Sequence, residues 1–581
     1  MGEGQKQAAN PSPEDWDHWV VHLRERKTPR DPWRVIGAKR DWPLQWGLDY
    51  TPVSEDTKDL IVKTARWCDH PGKSRTARLI SRLEAWLAEW PVRRGQGALG
   101  LEALSWSYVL PRLAGSSSAA LWQEALELLL DVATSWPQLD LQHHPLSHQW
   151  LGGELPLTLA YQFPELPRCQ ALWQSARKAL SQGLTELLDT NGLPAVEHMM
   201  SVRPLLACWT RCQALHGDRA TPMLTPSATT CFEWFLRRAL QLTRRDGCPF
   251  FSAVVSGSED RDLFRTALAL VGDDEDAVIA DQILPIRQGK RSKKGRRVIL
   301  AEPSANSEWG RLTLFRSDWS RDSIQLVVAR SGASVQTELV SGNRTVWSGP
   351  WQQEIHLDGR KLDPPEQWDE ICWHTDDDVD YQELQATLAD GWILQRQIIL
   401  AREDRFLFLA DAILGSDERE IEYRAQLPLT AGVRFEPAED THEGHIIGDR
   451  WRGSVLPLAL PEWRIAASNG GLEWIDGNLQ VRHAVRAPRV YVPLFIDLNS
   501  SRSRGPLTWR HLTVAERLEV QSPSQAVAFR VQVADEQWLF YRSLGPAANR
   551  TFLGENLSNE FLAARFDRDG DADDLIRIDA D

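Results

Sequence analysis

Between about residues 61 and 284, apolar side chains recur at intervals of three and four. In TARLISRLEAWLAEW they fall at Leu79, Ile80, Leu83, Trp86, Leu87 and Trp90, one face of an amphipathic helix. Comparable stretches are LEALSWSYVL before Pro111, Leu121–Trp136, Ala171–Leu188, a run from Pro204 and a run from Cys231. Each ends at Pro, Gly, Ser or Asp, which predicts a series of short antiparallel helices. No fixed solenoid period accompanies them. After Glu308 the period becomes two. WGRLTLFR, SIQLVVAR, WILQRQIILA, RFLFLADAIL, EIEYRAQL, YVPLFIDL, AVAFRVQV and QWLFYRS, separated by turn formers, predict a large antiparallel assembly of two or more layers.

Four regions follow: an N-terminal arm over 1–60 with at most one short helix, a helical domain over 61–284, a basic linker over 285–307 and a β domain over 308–581. The linker carries seven basic residues within Arg287–Arg297, which reads as a solvated connection rather than a nucleic-acid patch. With 581 residues and 42% hydrophobic content the chain can bury more than one core.

Composition narrows the function classes. A net charge of −15 argues against nucleic acid as the main partner. No stretch reaches membrane-spanning length, and the start MGEGQKQAANPSPEDWDHW has no signal-like apolar core, so the chain as given is expected to be soluble and cytoplasmic. Seven cysteines without a C-x-x-C suggest reduced thiols, and no cofactor or metal is expected. The 27 tryptophans serve either as interface filler or, some of them, as platforms for sugar rings.

Helices followed by a large β assembly combine here with WGRLTLFRSDWS, CWHTDDDVDYQELQ, RQIILAREDRFLFLADAIL, PLTWRHLTVAE and QWLFYRSLGPAANRTFLGENLSNEFLAARF. Together with HQWLGGELPLTLAYQFPEL and LLDTNGLPAVEHMMSVRPLLACWTR upstream, this text resembles the heparinase II/III-like polysaccharide lyases. The resemblance implies an incomplete (α/α) toroid of antiparallel helices followed by an antiparallel β-sandwich. It also implies cleavage of uronate-containing acidic glycans by β-elimination. That reaction must neutralise the C6 carboxylate, abstract the C5 proton and protonate the leaving O4.

The family's first inner helix typically reads Asn-Asn-His with Glu four residues later. Set on Glu154, that pattern puts His148, Gln149 and Trp150 at the three positions. The second reads Asp-Gly, then Glu, then Tyr-His about five residues on; here Glu197 leads instead to Val202-Arg203. The Gly-His stretch of the family's β domain corresponds to Ala329–Leu339, which has no histidine. The resemblance thus leaves His198, Glu197 and His148 as candidate proton-transfer groups, with Gln149, Trp150, Glu154, Arg203, Trp209 and Arg211 as candidate substrate contacts. Arg203 and Arg211, two helical turns apart, suit either an acidic glycan or structural ion pairs. Two functions stay open: a lyase, or a non-catalytic relative that binds glycan or a protein partner. His143-His144-Pro145 lacks the i, i+4 spacing of a helical metal pair, while Asp376-Asp377-Asp378 with Asp380 reads as a solvated acidic loop, a hard cation such as calcium being the alternative.

Overall fold

A computed structural model describes residues 15–37, 42–93, 99–135, 139–217, 221–252, 259–284, 299–449, 451–464, 469–567 and 570–579. The chain divides into two compact units, Met1–Leu300 and Ala301–Asp581. Residues 285–298 of the basic segment, like Trp136, lie outside the described residues.

The helical unit begins with α1 (Trp16–Glu25), α2 (Pro32–Ile36), α3 (Glu55–Asp69), α4 (Lys73–Arg93), α5 (Leu99–Leu113) and α6 (Ala119–Thr134). It continues through α7 (Pro145–His148), α8 (Leu155–Gln162), α9 (Pro167–Glu186), α10 (Val202–His216), α11 (Pro226–Gln241), α12 (Glu259–Val271) and α13 (Asp274–Ile283). Helix α4 buries Leu79, Leu83, Trp86, Leu87 and Trp90, the face that the periodicity predicts. Hydroxyl side chains of Ser54, Ser118 and Thr225 accept from backbone N–H groups in the first turns of α3, α6 and α11, and so fix where those helices start.

Two expectations need correction. The segment read as an arm holds α1, α2 and two 3₁₀ turns, Pro43–Gln45 and Leu48–Tyr50, with Trp42, Leu44, Trp46 and Leu48 buried. Helix α5 also runs through Pro111 instead of stopping before it. A proline there frees the carbonyl four residues back. Gln162 Nε2 donates to that carbonyl, Ser107 O, at 2.9 Å and to Tyr108 O at 3.2 Å, which satisfies the broken ladder.

The second unit is a stack of antiparallel sheets. Strands β1 (Ala305–Ser307), β2 (Leu312–Arg316), β3 (Ile324–Ser331), β4 (Ser334–Ser341) and β5 (Arg344–Pro350) form the first, in sequential order. An eleven-stranded sheet follows, built on the long pair Phe406–Pro428 and Asn478–Asp497. Along Phe406–Leu409 the side chains alternate between two cores. Leu407 and Leu409 face a cluster with Leu326, Val328 and Leu339, while Phe406 and Phe408 face one with Phe529, Trp538 and Phe540. The large sheet is therefore covered on both faces, which is why RFLFLADAIL is nearly continuous in apolar residues rather than alternating. Phe408 and Phe540 stack at 4.5 Å between centroids. A third sheet, carrying Ala526–Val533 and Glu536–Ser543, buries its outer face under a small four-stranded sheet.

The hairpin β3–β4 contains the Ala329–Leu339 stretch, and its buried polar groups are structural. Arg330 pairs with Glu370 at 3.1 Å, and Glu338 accepts from Ser348 Oγ at 2.7 Å. The acidic loop around Asp376 is likewise engaged by cations: Asp378 with Arg565 at 2.8 Å and Asp380 with Arg402 at 2.7 Å.

Two histidines of this unit are held neutral. Burial, with His511 beside it, pushes His483 down to about 4. Burial and Arg452, opposed by Glu436, do the same to His445, also to about 4. An unfolded histidine titrates near ~6.5, so between that pH and about 4 the unfolded chain takes up protons that the folded one refuses. Stability must therefore fall as pH falls through this window. The urea midpoint is expected to drop between pH 7 and 5, and a His445→Gln/His483→Gln variant to lose less over the same interval. An equal loss in the variant would remove these two groups as the cause.

Candidate functional site

A cleft of about 640 Å³ opens in the helical unit between α7 and the 3₁₀ turn Val196–Ser201 that leads into α10. His143, His144, Ser147 and Trp150 line it from one element, and Glu197 and His198 from the other. Thr51 and Pro52 complete the wall from the N-terminal segment. The turn carrying His198 is set by the loop before it. The Asp189 carboxylate accepts from Asn191 N–H and Leu193 N–H, both at 2.8 Å, closing a bridge between Leu188 and Pro194. Gly192 sits at φ +79°, where a Cβ would lie 2.6 Å from Phe235 N, so only glycine fits.

His198 is 5% exposed, and its Nε2 lies 3.1 Å from Gln142 Oε1. Gln142 Nε2 donates to Glu186 O at 3.2 Å, which turns its carbonyl oxygen toward the ring. Neutral His198 is thereby held as the Nε2–H tautomer, with Nδ1 as the acceptor. Burial lowers its pKa below the ordinary histidine value, and Glu197 opposes the shift. Glu197 and His198 are neighbours on a 3₁₀ turn, and both line the same cleft.

Most of the other candidates are withdrawn from it. His148 is 2% exposed and not on the cleft wall. Its Nδ1 is 3.1 Å from Gln149 Nε2, and burial lowers its pKa while Glu186 and Asp140 oppose. Gln149 is spent inside: Nε2 also donates to Ala179 O at 3.0 Å, and Oε1 accepts from Trp209 Nε1 at 2.8 Å. A Cβ on Gly183 of α9 would come within 2.2 Å of the Gln149 amide, so the helix and the amide are in close contact. Trp209 is 2% exposed and packs edge-on against Phe235 at 5.0 Å. Trp150 alone of the proposed substrate contacts lines the cleft, and an indole moves no proton under these conditions.

Glu154 and Arg211 form a two-pronged ion pair, Nε to Oε1 at 2.6 Å and the second prong at 2.8 Å, with side chains 0% and 1% exposed. Arg211 also donates to Pro43 O at 3.1 Å. Its burial opposes the charge, but Glu154 more than offsets it and the pKa ends above the ordinary arginine value. Arg203, also buried, donates to Thr243 Oγ1 at 2.9 Å and lies over the Phe264 ring at 4.5 Å. The two arginines share α10 yet face different neighbours, so they do not form one cationic face.

Cys208 and Cys212 bring their sulfurs near the Glu154 carboxylate, the one such three-ligand group found among the described residues. Burial raises both thiols, and both carboxylate oxygens accept from Arg211, so Glu154 is engaged in the ion pair. His143 pairs with Asp140 at 3.0 Å at the surface.

No protein-family model and no curated protein sequence matches the chain. Solved structures do. The chain is similar to a heparinase III, with TM-score 0.65 and 11% identity over 92% of this chain and 98% of that one. It is also similar to a mutant heparan sulfate lyase from Pedobacter heparinus, with TM-score 0.63 and 10% identity over 92% of this chain and 95% of that one. The chain thus has the heparinase-like fold, a helical toroid followed by a β-sandwich.

The geometry makes Arg211 a structural residue. Arg211→Met strands a buried carboxylate and is expected to cost about 3–5 kcal/mol of stability, whereas Glu154→Gln/Arg211→Met recovers much of that loss. Urea unfolding followed by tryptophan fluorescence measures both, and a near-neutral Arg211→Met would contradict the assignment.

Proposed function

We propose that the protein binds an acidic, uronate-containing polysaccharide in the histidine-lined cleft and cleaves it by β-elimination, with His198 as the base. The observation that carries this reading is the His198 imidazole at the cleft wall, its Nε2 held against the Gln142 carbonyl oxygen. In the reaction His198 Nδ1 takes the proton from C5, the C5–H electrons form the C4–C5 double bond, and the C4–O4 bond breaks. A second histidine of the cleft, His144, supplies the proton to O4. Trp150 offers its ring as a wall against the sugar. The heparinase-like fold supports the substrate class.

One observation favours a second reading, a non-catalytic glycan binder. Among the described residues no tyrosine, arginine or lysine lines this cleft, so the carboxylate meets no fixed cation there. The two readings part in one assay. Incubation with heparan sulfate, chondroitin sulfate and alginate is expected to produce the ultraviolet absorbance of an unsaturated uronide, and His198→Gln to abolish it. Because burial lowers the pKa of His198, the acid limb of the rate profile should have its midpoint below that of an ordinary histidine. Binding without absorbance would replace the lyase reading by the second one.

A further inference from the structure

A second concavity of the helical unit, about 580 Å³, lies between α1, the segment leading into α2, and the end of α5. Its lining is strongly basic: Arg24, Arg26, Lys27, Arg30, Arg34 and Arg112 face it against the single carboxylate of Asp31. On a chain of net charge −15, such a concentration of cations is a local reversal of the prevailing field.

The cations fall into two groups. Arg112 grips Asp31 with two prongs and donates to Cys68 O at 3.1 Å, Arg34 pairs with the same carboxylate at 3.3 Å, and Arg26 donates to both oxygens of Glu165 at 3.1 and 3.2 Å. These pairs shape the groove. So do Tyr161 OH, which donates to Arg30 O at 3.0 Å, and Trp16, packed on Trp122 at 5.5 Å. Arg24, Lys27 and Arg30 are different: they are exposed, and none pairs with a carboxylate among the described residues. The apolar part of the lining is aliphatic, made by Val20, Leu23, Pro29 and Pro111.

From this arrangement we infer that the groove is a second binding site for an acidic polysaccharide, separate from the histidine cleft. The inference rests on the proposed reading of the ligand as an acidic glycan. Three cations without a carboxylate partner, on a concavity of about 580 Å³, offer several separate charges to a polymer with charge on successive units. An aliphatic and proline lining suits the C–H faces of pyranose rings. It offers no aromatic platform of the kind that stacks nucleic-acid bases.

The test uses the full chain carrying His198→Gln, so that turnover does not consume the ligand, and compares it with the same chain also bearing Arg24→Glu, Lys27→Glu and Arg30→Glu. Calorimetric titration with heparan sulfate is expected to give salt-dependent binding that weakens at least tenfold in the charge-reversed protein. An unchanged urea midpoint establishes that the reversed protein is folded. Equal affinity in the two proteins overturns the inference. So does binding of inorganic sulfate as tight as that of the polymer, or tighter binding of a DNA duplex. Failure of the cleft reading is distinct, because it appears as missing uronide absorbance from the wild-type chain while polymer binding stays sensitive to the three reversals.

Discussion

The helical unit depends on the ion pair between Glu154 and Arg211. Both partners are buried, so their two hydrogen bonds replace hydration that both charges have given up. Around it the chain is committed. The widened π-helical turn Gln149–Glu154 is tied to α10, and through Pro43 O to the N-terminal segment. Gln149 then has one place to put its amide, between Ala179 O, His148 Nδ1 and Trp209 Nε1. Trp150, next along the turn, is left as the wall of the cleft.

That commitment explains what could be read along the chain and what could not. Periodicity identifies the buried face of α4 and the change from helices to strands, because both follow from short-range geometry; the stretch read as linker up to 307 already holds β1, in a unit that begins at Ala301. The 3₁₀ turns holding Trp42, Trp46 and Tyr50 are too short to show a period, so a packed segment reads as an arm. Candidate residues fare unevenly for a similar reason. Glu154 and Arg211 are 57 positions apart, and each alone looks like a polar group available to a ligand. Only their contact reveals them as each other's partner. His198 is legible as a candidate, but its tautomer depends on Gln142, 56 positions earlier and with no motif to mark it.

Buried charge is used in the same way in the β unit. Arg396 grips Asp411 with two hydrogen bonds of 2.8 Å, Tyr423 OH donates to the same carboxylate at 2.6 Å, and the Trp351 ring covers the guanidinium at 3.7 Å. Arg542 reaches Glu383 at 2.8 Å and Gln395 at 2.6 Å. Leaving any one partner alone costs more than the pair contributes, so these networks fix one packing over others rather than add much net stability. The contrast with the α1 groove is then informative. There the arginines that shape the concavity are paired, while the cations on its rim are not.

A base made from a buried histidine differs physically from one made from tyrosine. Tyrosine must first lose a proton near pH ~10, so it needs nearby positive charge to act as a base at neutral pH. Histidine needs the opposite, an environment that discourages the cation. The cleft offers that environment: burial lowers His198, Gln142 takes its Nε2–H, and no arginine or lysine stands among the described lining residues. The same scarcity of cations that disfavours a fixed carboxylate clamp therefore favours a neutral imidazole base.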